Sequence, residues 1–448
     1  MTRSGRPVIT WEEWLGATEG DLDLRLDLGL WQSIIDWVFD FDSGEQAGAL
    51  LARTDAVKDG AVLVGERFVP VTEEYVLDRT HGLRFDGRFN LRVAEAAERA
   101  GCGAILVHAH ALENPPLPSS EDATFGVNFL AFMRRRRPND VHGLLVLGEE
   151  SVTGVCETQA ERRAVRRLTV GGIPTLSLPH EPWVDPVADA RDRQFLAIGR
   201  AGQTALAHAR VAVIGVSGGG SHVAQQLIHA GVGTLIVVDP DIVDERNLRR
   251  VVGAIRDDVG RTKKVRIPVR LADAVRPEVE VTPIDDSFPS TETIRRLRFA
   301  DVLVGCVDGW DVRDAINEFA LQYRIPYVDI GASITPPSDS QGLRLNGQVA
   351  VVAPDGPCLR CMGLVTDGRV AASREQRQGY AEGVDEPQVV SLNGTLASEA
   401  VTAVLMLIAG DDRLTRCRRY EYPPGKLIVV EAERRIDCPA CGAARLVE

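Results

Sequence analysis

The stretch RVAVIGVSGGGSHVAQQLIHAGVGTLIVVDPD, residues 210–241, constrains the fold more than any other part of the chain. An apolar, β-branched run ends at Gly215, and Gly218 and Gly220 open a helical pattern. A second apolar run then ends at Asp239. Strand, glycine turn, helix and strand in that order build one unit of a parallel sheet wound with helices. Glycines at the turn let backbone N–H groups approach a phosphate at the helix N-terminus, and an acid at the next strand end can accept from ribose hydroxyls. A later run, ADVLVGCVD (300–308), supplies another such strand. The expected class is α/β, with a doubly wound, Rossmann-like sheet in the second half.

A chain of 448 residues exceeds the size at which one core stops growing, so a second domain is expected. The first half alternates helical patterns (LWQSIIDWVFDF, FNLRVAEAAERAG) with apolar runs (AILVHAH, VHGLLVLG), which suggests a mixed sheet with flanking helices. The proline-bearing LSLPHEPWVDPVADARD reads as the linker, giving domains at 1–175 and 176–448. A net charge of −13 argues against nucleic acid and anionic membrane as partners. The opening residues lack an apolar secretion core, and AVTAVLMLIAG is short for a membrane span, so a cytoplasmic protein is expected. Eight cysteines in such a length do not make a disulfide scaffold.

Further motifs in the second half are DPDIVDERNLRRVVGAIRDDVGRTKKV, ADVLVGCVDGWDVRDAINEFA and, ahead of the first strand, DRQFLAIGRAGQTAL. Together, over about residues 190–445, they resemble the ubiquitin-activating superfamily, the ThiF/MoeB-like (E1-like) adenylating proteins that activate sulfur carriers. The resemblance implies ATP and Mg²⁺ as cofactors and adenylation of the C-terminal glycine of a ubiquitin-like protein. It assigns Asp239 and Asp241 to the ribose and nearby groups, Asn247, Arg250 and Lys263 to the phosphates, and Asp308 to Mg²⁺. It sends Arg193 as a finger into the site of a partner subunit, so a homodimer is expected. Developing charge at the α-phosphate is what Arg, Lys and Mg²⁺ offset. Arg249 and Lys264 read instead as a solvated surface. Ser217 stands where the family usually has glycine.

Two CxxC pairs, Cys358/Cys361 and Cys438/Cys441, have the spacing of a tetrahedral, structural zinc site made of four cysteines. Relatives that pass cargo to a thiol usually carry a cysteine between the first pair and the helix SLNGTLASEAVTAVLMLIAG. Between Cys361 and Cys438 this chain has only Cys417, after that helix. The reaction therefore stops at the acyl-adenylate, or a hydroxyl accepts the acyl group, for which Ser373 in RVAASREQ stands near the expected position.

In the first half, HAHALENPPLPSSED (108–122) places His108 and His110 on one side of a strand end, since strand side chains alternate. Asp122 can return as a third ligand, leaving a position for water, as in catalytic zinc sites. Over about residues 25–160 the pattern resembles the JAMM signature of JAB/MPN metallopeptidases. That resemblance makes His108, His110 and Asp122 zinc ligands, Ser119 an oxyanion donor and Glu45 in EQAGAL the general base. The spacer, residues 111–118, is one residue longer than usual, and proline does not directly follow His110.

The combined expectation is a bifunctional enzyme. One half adenylates a ubiquitin-like or sulfur-carrier protein; the other, JAB-like half trims or releases that same tail. An E2-like transfer protein is a further expected partner. Two alternatives stay open: activation of a sulfur carrier, with the JAB-like half only maturing it, or a JAB-like half that is an inactive binding module.

Overall fold

The computed structural model describes residues 21–40, 44–55, 61–79, 83–110, 113–117, 119–157, 161–184, 193–338, 342–377 and 387–442, with side chains of 120–124 excepted. The chain forms two compact units. The first comprises Met1–Val170 and Ser177–Trp183, the second Gly171–Leu176 and Val184–Glu448. The stretch expected to be pure linker begins with a short strand, Leu176–Pro179.

In unit 1 the elements run β1 (Asp21–Asp27), α1 (Leu28–Val38), β2 (Ala47–Thr54), β3 (Val62–Pro70), β4 (Val76–Asp78), β5 (Arg84–Phe85), α2 (Gly87–Ala100), β6 (Gly103–Ala109), α3 (Ser120–Arg136), β7 (His142–Leu147), β8 (Val152–Glu157), β9 (Arg162–Gly171) and β10 (Leu176–Pro179). The main sheet has the order β1-β3-β2-β6-β7-β8-β9-β10, and β1 also pairs with β9. Its residues alternate between two buried clusters. Ala49, Leu51, Ala104 and Leu106 pack with Phe89, Val93, Phe129 and Met133 of α2 and α3, while Leu50, Ile105 and Val107 pack with Trp31, Ile34 and Val38 of α1. By that period of two, His108 and His110 continue the face covered by α2 and α3. Asp27 and Asp86 start α1 and α2 by accepting from the N–H groups of Leu30 and Arg88.

Unit 2 begins with α4 (Arg193–His208), interrupted at Gly199, whose φ of 71° and ψ of 174° are not helical. There follow β11 (Arg210–Ile214), α5 (Gly218–Ala230), β12 (Thr234–Val238), α6 (Arg266–Val275), β13 (Glu280–Ile284), α7 (Thr291–Leu297), β14 (Val302–Gly305), α8 (Trp310–Gln322), β15 (Tyr327–Thr335), β16 (Arg344–Val352), α9 (Asp367–Arg377), α10 (Val390–Ala409), β17 (Cys417–Tyr422) and β18 (Lys426–Val429). The sheet order is β13-β12-β11-β14-β15-β16-β17-β18. Strands β11 to β15 are parallel, and β16 to β18 continue antiparallel. The order reverses between β11 and β14, and at that point an α/β sheet opens a crevice beyond its carboxyl ends. Helix α10 is long and apolar enough to cross a membrane by length and composition, but 56% of that window is buried in the unit. It packs as a core helix against α5 and the sheet.

One buried titratable group ties unit 1 together. His142 Nδ1 faces the Ala104 N–H at 3.2 Å, and Nε2 lies 2.9 Å from the Arg137 carbonyl, so the ring is neutral with its proton on Nε2. Burial holds its pKa below the ordinary 6.5. A proton bound only by the unfolded chain weakens the fold, so this contribution is complete above about pH 6.5 and is lost as pH falls toward the depressed folded value. The thermal stability advantage of wild type over His142→Gln is expected to shrink between pH 8 and pH 5.5, measured by unfolding scans.

Candidate functional site

The glycine turn after β11 is held by two constraints. Gly215 has a φ of +88°, and a Cβ on Gly220 would stand 1.8 Å from the Gly215 carbonyl oxygen, so the helix begins against its own loop. The second is Asp239, whose carboxylate accepts from the Val216 N–H at 2.8 Å and the Asp241 N–H at 3.0 Å. Burial pushes its pKa up, against the opposing pull of Lys264. Lys264 does not sit on a solvated surface as the sequence suggested. It is 5% exposed and pairs with Asp241 at 2.7 Å, drawn in beside the buried Asp239 at the end of β12. Lys263 is the more exposed of the two and bonds Asp285 and the Pro240 carbonyl at 2.8 Å each. Asn247 is buried and exchanges two 2.9 Å bonds with Asp244, which shapes the loop after β12.

A cavity of about 440 Å³ opens at the crevice, lined on one side by Ser217, Gly218, Gly219 and Arg250. Of the residues assigned to nucleotide and Mg²⁺, Gly218, Arg250 and Asp308 line it. Gly215, Gly220, Asp239, Asp241, Asn247 and Lys263 are not among its lining residues and support the surrounding loops. Arg250 Nε is buried without a hydrogen-bond partner among the described residues, a cost that an anion in the cavity would remove. Asp308, exposed at the end of β14, makes no ion pair among the described residues.

The opposite wall holds residues the sequence reading passed over. Arg313, in the quoted DGWDVRD, is 3% exposed and bonds Asp329 in a two-point pair, with Nε to Oδ1 at 2.9 Å. Tyr327 also donates to Asp329 at 2.7 Å, and burial raises the phenol pKa well above its usual value. Trp310 lies between two guanidinium groups, Arg313 at 4.2 Å and Arg369 at 4.6 Å from its ring centre. Arg419 of β17 completes a set of four arginines around the cavity. Their signal in the sequence was charge in an apolar context, visible for Arg313 alone.

Ser373 lies on α9 rather than in an open loop, and its Oγ accepts from the Trp310 N–H at 3.0 Å. That serine caps α8, with Arg377 bonding Asp311 at 2.6 Å beside it. Arg193 is exposed at the start of α4 and does not line the cavity.

The four cysteines converge. Sγ separations are 3.9 Å for Cys358–Cys361, 3.6 Å for Cys358–Cys438 and 3.4 Å for Cys361–Cys441. A tetrahedron with zinc–sulfur bonds of about 2.3 Å has edges of about 3.8 Å, so the donor set fits a closed zinc site. In unit 1, Glu45, His108 and His110 bring one donor atom each to within 4.8 Å of one another. Glu45 accepts from the Leu83 N–H at 3.0 Å, and two imidazoles with a carboxylate suit zinc. Ser119 is exposed just ahead of α3, while Asp122 lies in the first turn of α3 with its side chain outside the described residues.

The chain is similar in sequence to known adenylyltransferases and activating enzymes. SAMP-activating enzyme E1 of Haloferax volcanii is 33% identical over 165 residues, covering 37% of this chain and 57% of that protein. Adenylyltransferase and sulfurtransferase UBA4 of Yarrowia lipolytica is 27% identical over 264 residues, covering 56% of this chain and 60% of that one. The chain thus spans less than two thirds of the length of these two relatives. Molybdopterin-synthase adenylyltransferase of Escherichia coli is 31% identical over 245 residues, 54% of this chain and 90% of that protein. The solved structure of Escherichia coli MccB with succinimide aligns at 19% identity and a TM-score of 0.47, over 57% of this chain and 75% of that one. The ThiF family model matches residues 190–440, more than half of the 448, and the chain therefore belongs to the ThiF family.

Proposed function

We propose that unit 2 is an ATP-dependent adenylyltransferase acting on the C-terminal carboxylate of a small sulfur-carrier or ubiquitin-like protein. The observation that carries this reading is the cavity at the strand-order reversal. There the glycine turn, the unpartnered Arg250 Nε and Asp308 meet in a setting otherwise rich in arginine. In the reaction a carboxylate oxygen bonds to the α-phosphorus, the bond to the bridging oxygen breaks, and pyrophosphate leaves with its electron pair. The N-terminus of α5 and Arg250 face the charge on the phosphates, and Arg313, fixed by Asp329, stiffens the far wall. Asp308 is the carboxylate suited to Mg²⁺, which supplies further positive charge to the phosphates.

Other relatives, named as sulfur carrier protein adenylyltransferases, favour a sulfur-carrier substrate over conjugation to an acceptor protein. The fate of the acyl group points the same way. Cys417 is 2% exposed in β17 and burial raises its thiol pKa, while Ser373 is engaged as a helix cap. The acyl-adenylate is therefore the product handed on. For unit 1, the meeting of Glu45, His108 and His110 favours a second reading, a JAMM-like zinc peptidase that trims the same tail, with Glu45 as base.

In ATP–pyrophosphate exchange, Arg250→Ala and Asp308→Ala are each expected to lower the rate about a hundredfold or more. Rates within twofold of wild type would remove these residues from the site. If Arg193 serves a neighbouring copy, mixing Arg193→Ala with Asp308→Ala restores part of the activity through mixed dimers; no recovery refutes that role. Metal analysis of the purified chain is expected to give two zinc ions, one lost in Cys358→Ser and the other in His108→Ala. A single ion, lost only with Cys358, would leave unit 1 without a metal centre.

A further inference from the structure

The arginines around the cavity are not equivalent. Arg313 is neutralised by Asp329, whereas Arg250, Arg369 and Arg419 pair with no carboxylate among the described residues. Arg250 stands beside the glycine turn, and Arg369 is held on Trp310, two residues past Asp308, and on the Leu364 carbonyl at 2.7 Å. Both lie at the end where the phosphates and the reacting carboxylate would meet. Arg419 lies elsewhere, on β17.

Its place follows from the register. Gly331 of β15 pairs with Gln348 of β16, and Gln348 pairs with Arg419, so the three form one row across the sheet with side chains on the same face. All three line the cavity, and the Gln348 amide lies over Gly331, where a Cβ would stand 2.1 Å from its nitrogen. From β14, which leads into Asp308, to β17 is three strand spacings, about 14 Å. An extended peptide advances about 3.3 Å per residue, so that distance is about four residues. In a chain with net charge −13, an arginine that lines a cavity and makes no ion pair among the described residues can meet an anion from outside.

We propose that Arg419, with Gln348 beside it, selects carrier tails that have an acidic side chain about four residues before the terminal carboxylate. This inference rests on the adenylation reading for the direction of the tail. It adds a charge requirement on the substrate: the terminal carboxylate meets the nucleotide, and a second carboxylate meets β17.

The test is fluorescence anisotropy of labelled ten-residue peptides ending in Gly-Gly, with Glu, Gln or Lys placed in turn three, four and five residues before the end, on the full chain. At one of these places Glu is expected to bind about tenfold more tightly than Gln, as for a charge-assisted hydrogen bond. Arg419→Ala levels the two, and Arg419→Glu transfers the preference to Lys. Equal affinity of Glu and Gln peptides throughout, absence of binding by every peptide, or a Glu preference that survives Arg419→Ala overturns the proposal. ATP–pyrophosphate exchange with the tightest peptide is a separate readout. Charge-selective binding without exchange would defeat the adenylation reading and leave tail recognition by Arg419 standing.

Discussion

Everything in unit 2 is arranged around the contact between Gly220 and the Gly215 carbonyl. The approach admits no Cβ, and it aims the first turn of α5 at the crevice where the strand order reverses. Asp239 then fixes the loop from the neighbouring strand by accepting two backbone N–H groups, and Lys264 and Asp241 close over it. A loop held this way has little freedom to lose when a ligand arrives, which favours binding by lowering its entropic cost. Of the residues assigned from the motif to ribose and phosphates, Asp239, Asp241, Asn247 and Lys263 hold the loops around the site. Arg250 and Asp308 remain directed to the cavity.

Much of the fold was legible because it depends on periodicity and punctuation. Apolar runs bounded by glycine and acid became β11, β12 and β14, and AILVHAH became β6, with His108 and His110 on the face its alternation dictates. The cysteine pairs were equally legible, since a knuckle is a local turn whose spacing survives in the sequence. What sequence did not reveal depends on tertiary neighbours. Lys264 and Lys263 are adjacent and alike, yet one is buried and the other half-exposed, a difference set by which carboxylate each reaches. Arg369 and Arg419 join the cavity from segments far apart in sequence, and no local pattern marks either. Ser373 failed as a loop residue because RVAASREQ sits inside a helix whose serine was needed by the next element in space.

On the reading proposed above, the two units would act on the same peptide terminus. A carboxylate to be activated must first be exposed, and a zinc-suited cluster in unit 1 is the kind of centre that exposes one by hydrolysis. Within unit 2, helices α8 and α9 are tied by polar contacts of Ser373, Arg377 and Arg369 around Trp310, so the first turn after Asp308 is fixed from outside the sheet.

The cysteine cluster joins residues 358–361 to 438–441, and between them the chain makes α9, α10, β17 and β18. Arg369, Gln388, Asn393 and Arg419, all facing the cavity, belong to this closed span. A metal in the knuckles would thus act as the clasp of a belt whose inner surface is one wall of the site. Loosening it would enlarge the conformational freedom of a long loop, and these cavity-lining groups would disperse before the sheet itself is disturbed. Metal supply would then govern the order of that wall while the glycine-turn side of the cavity stays in place.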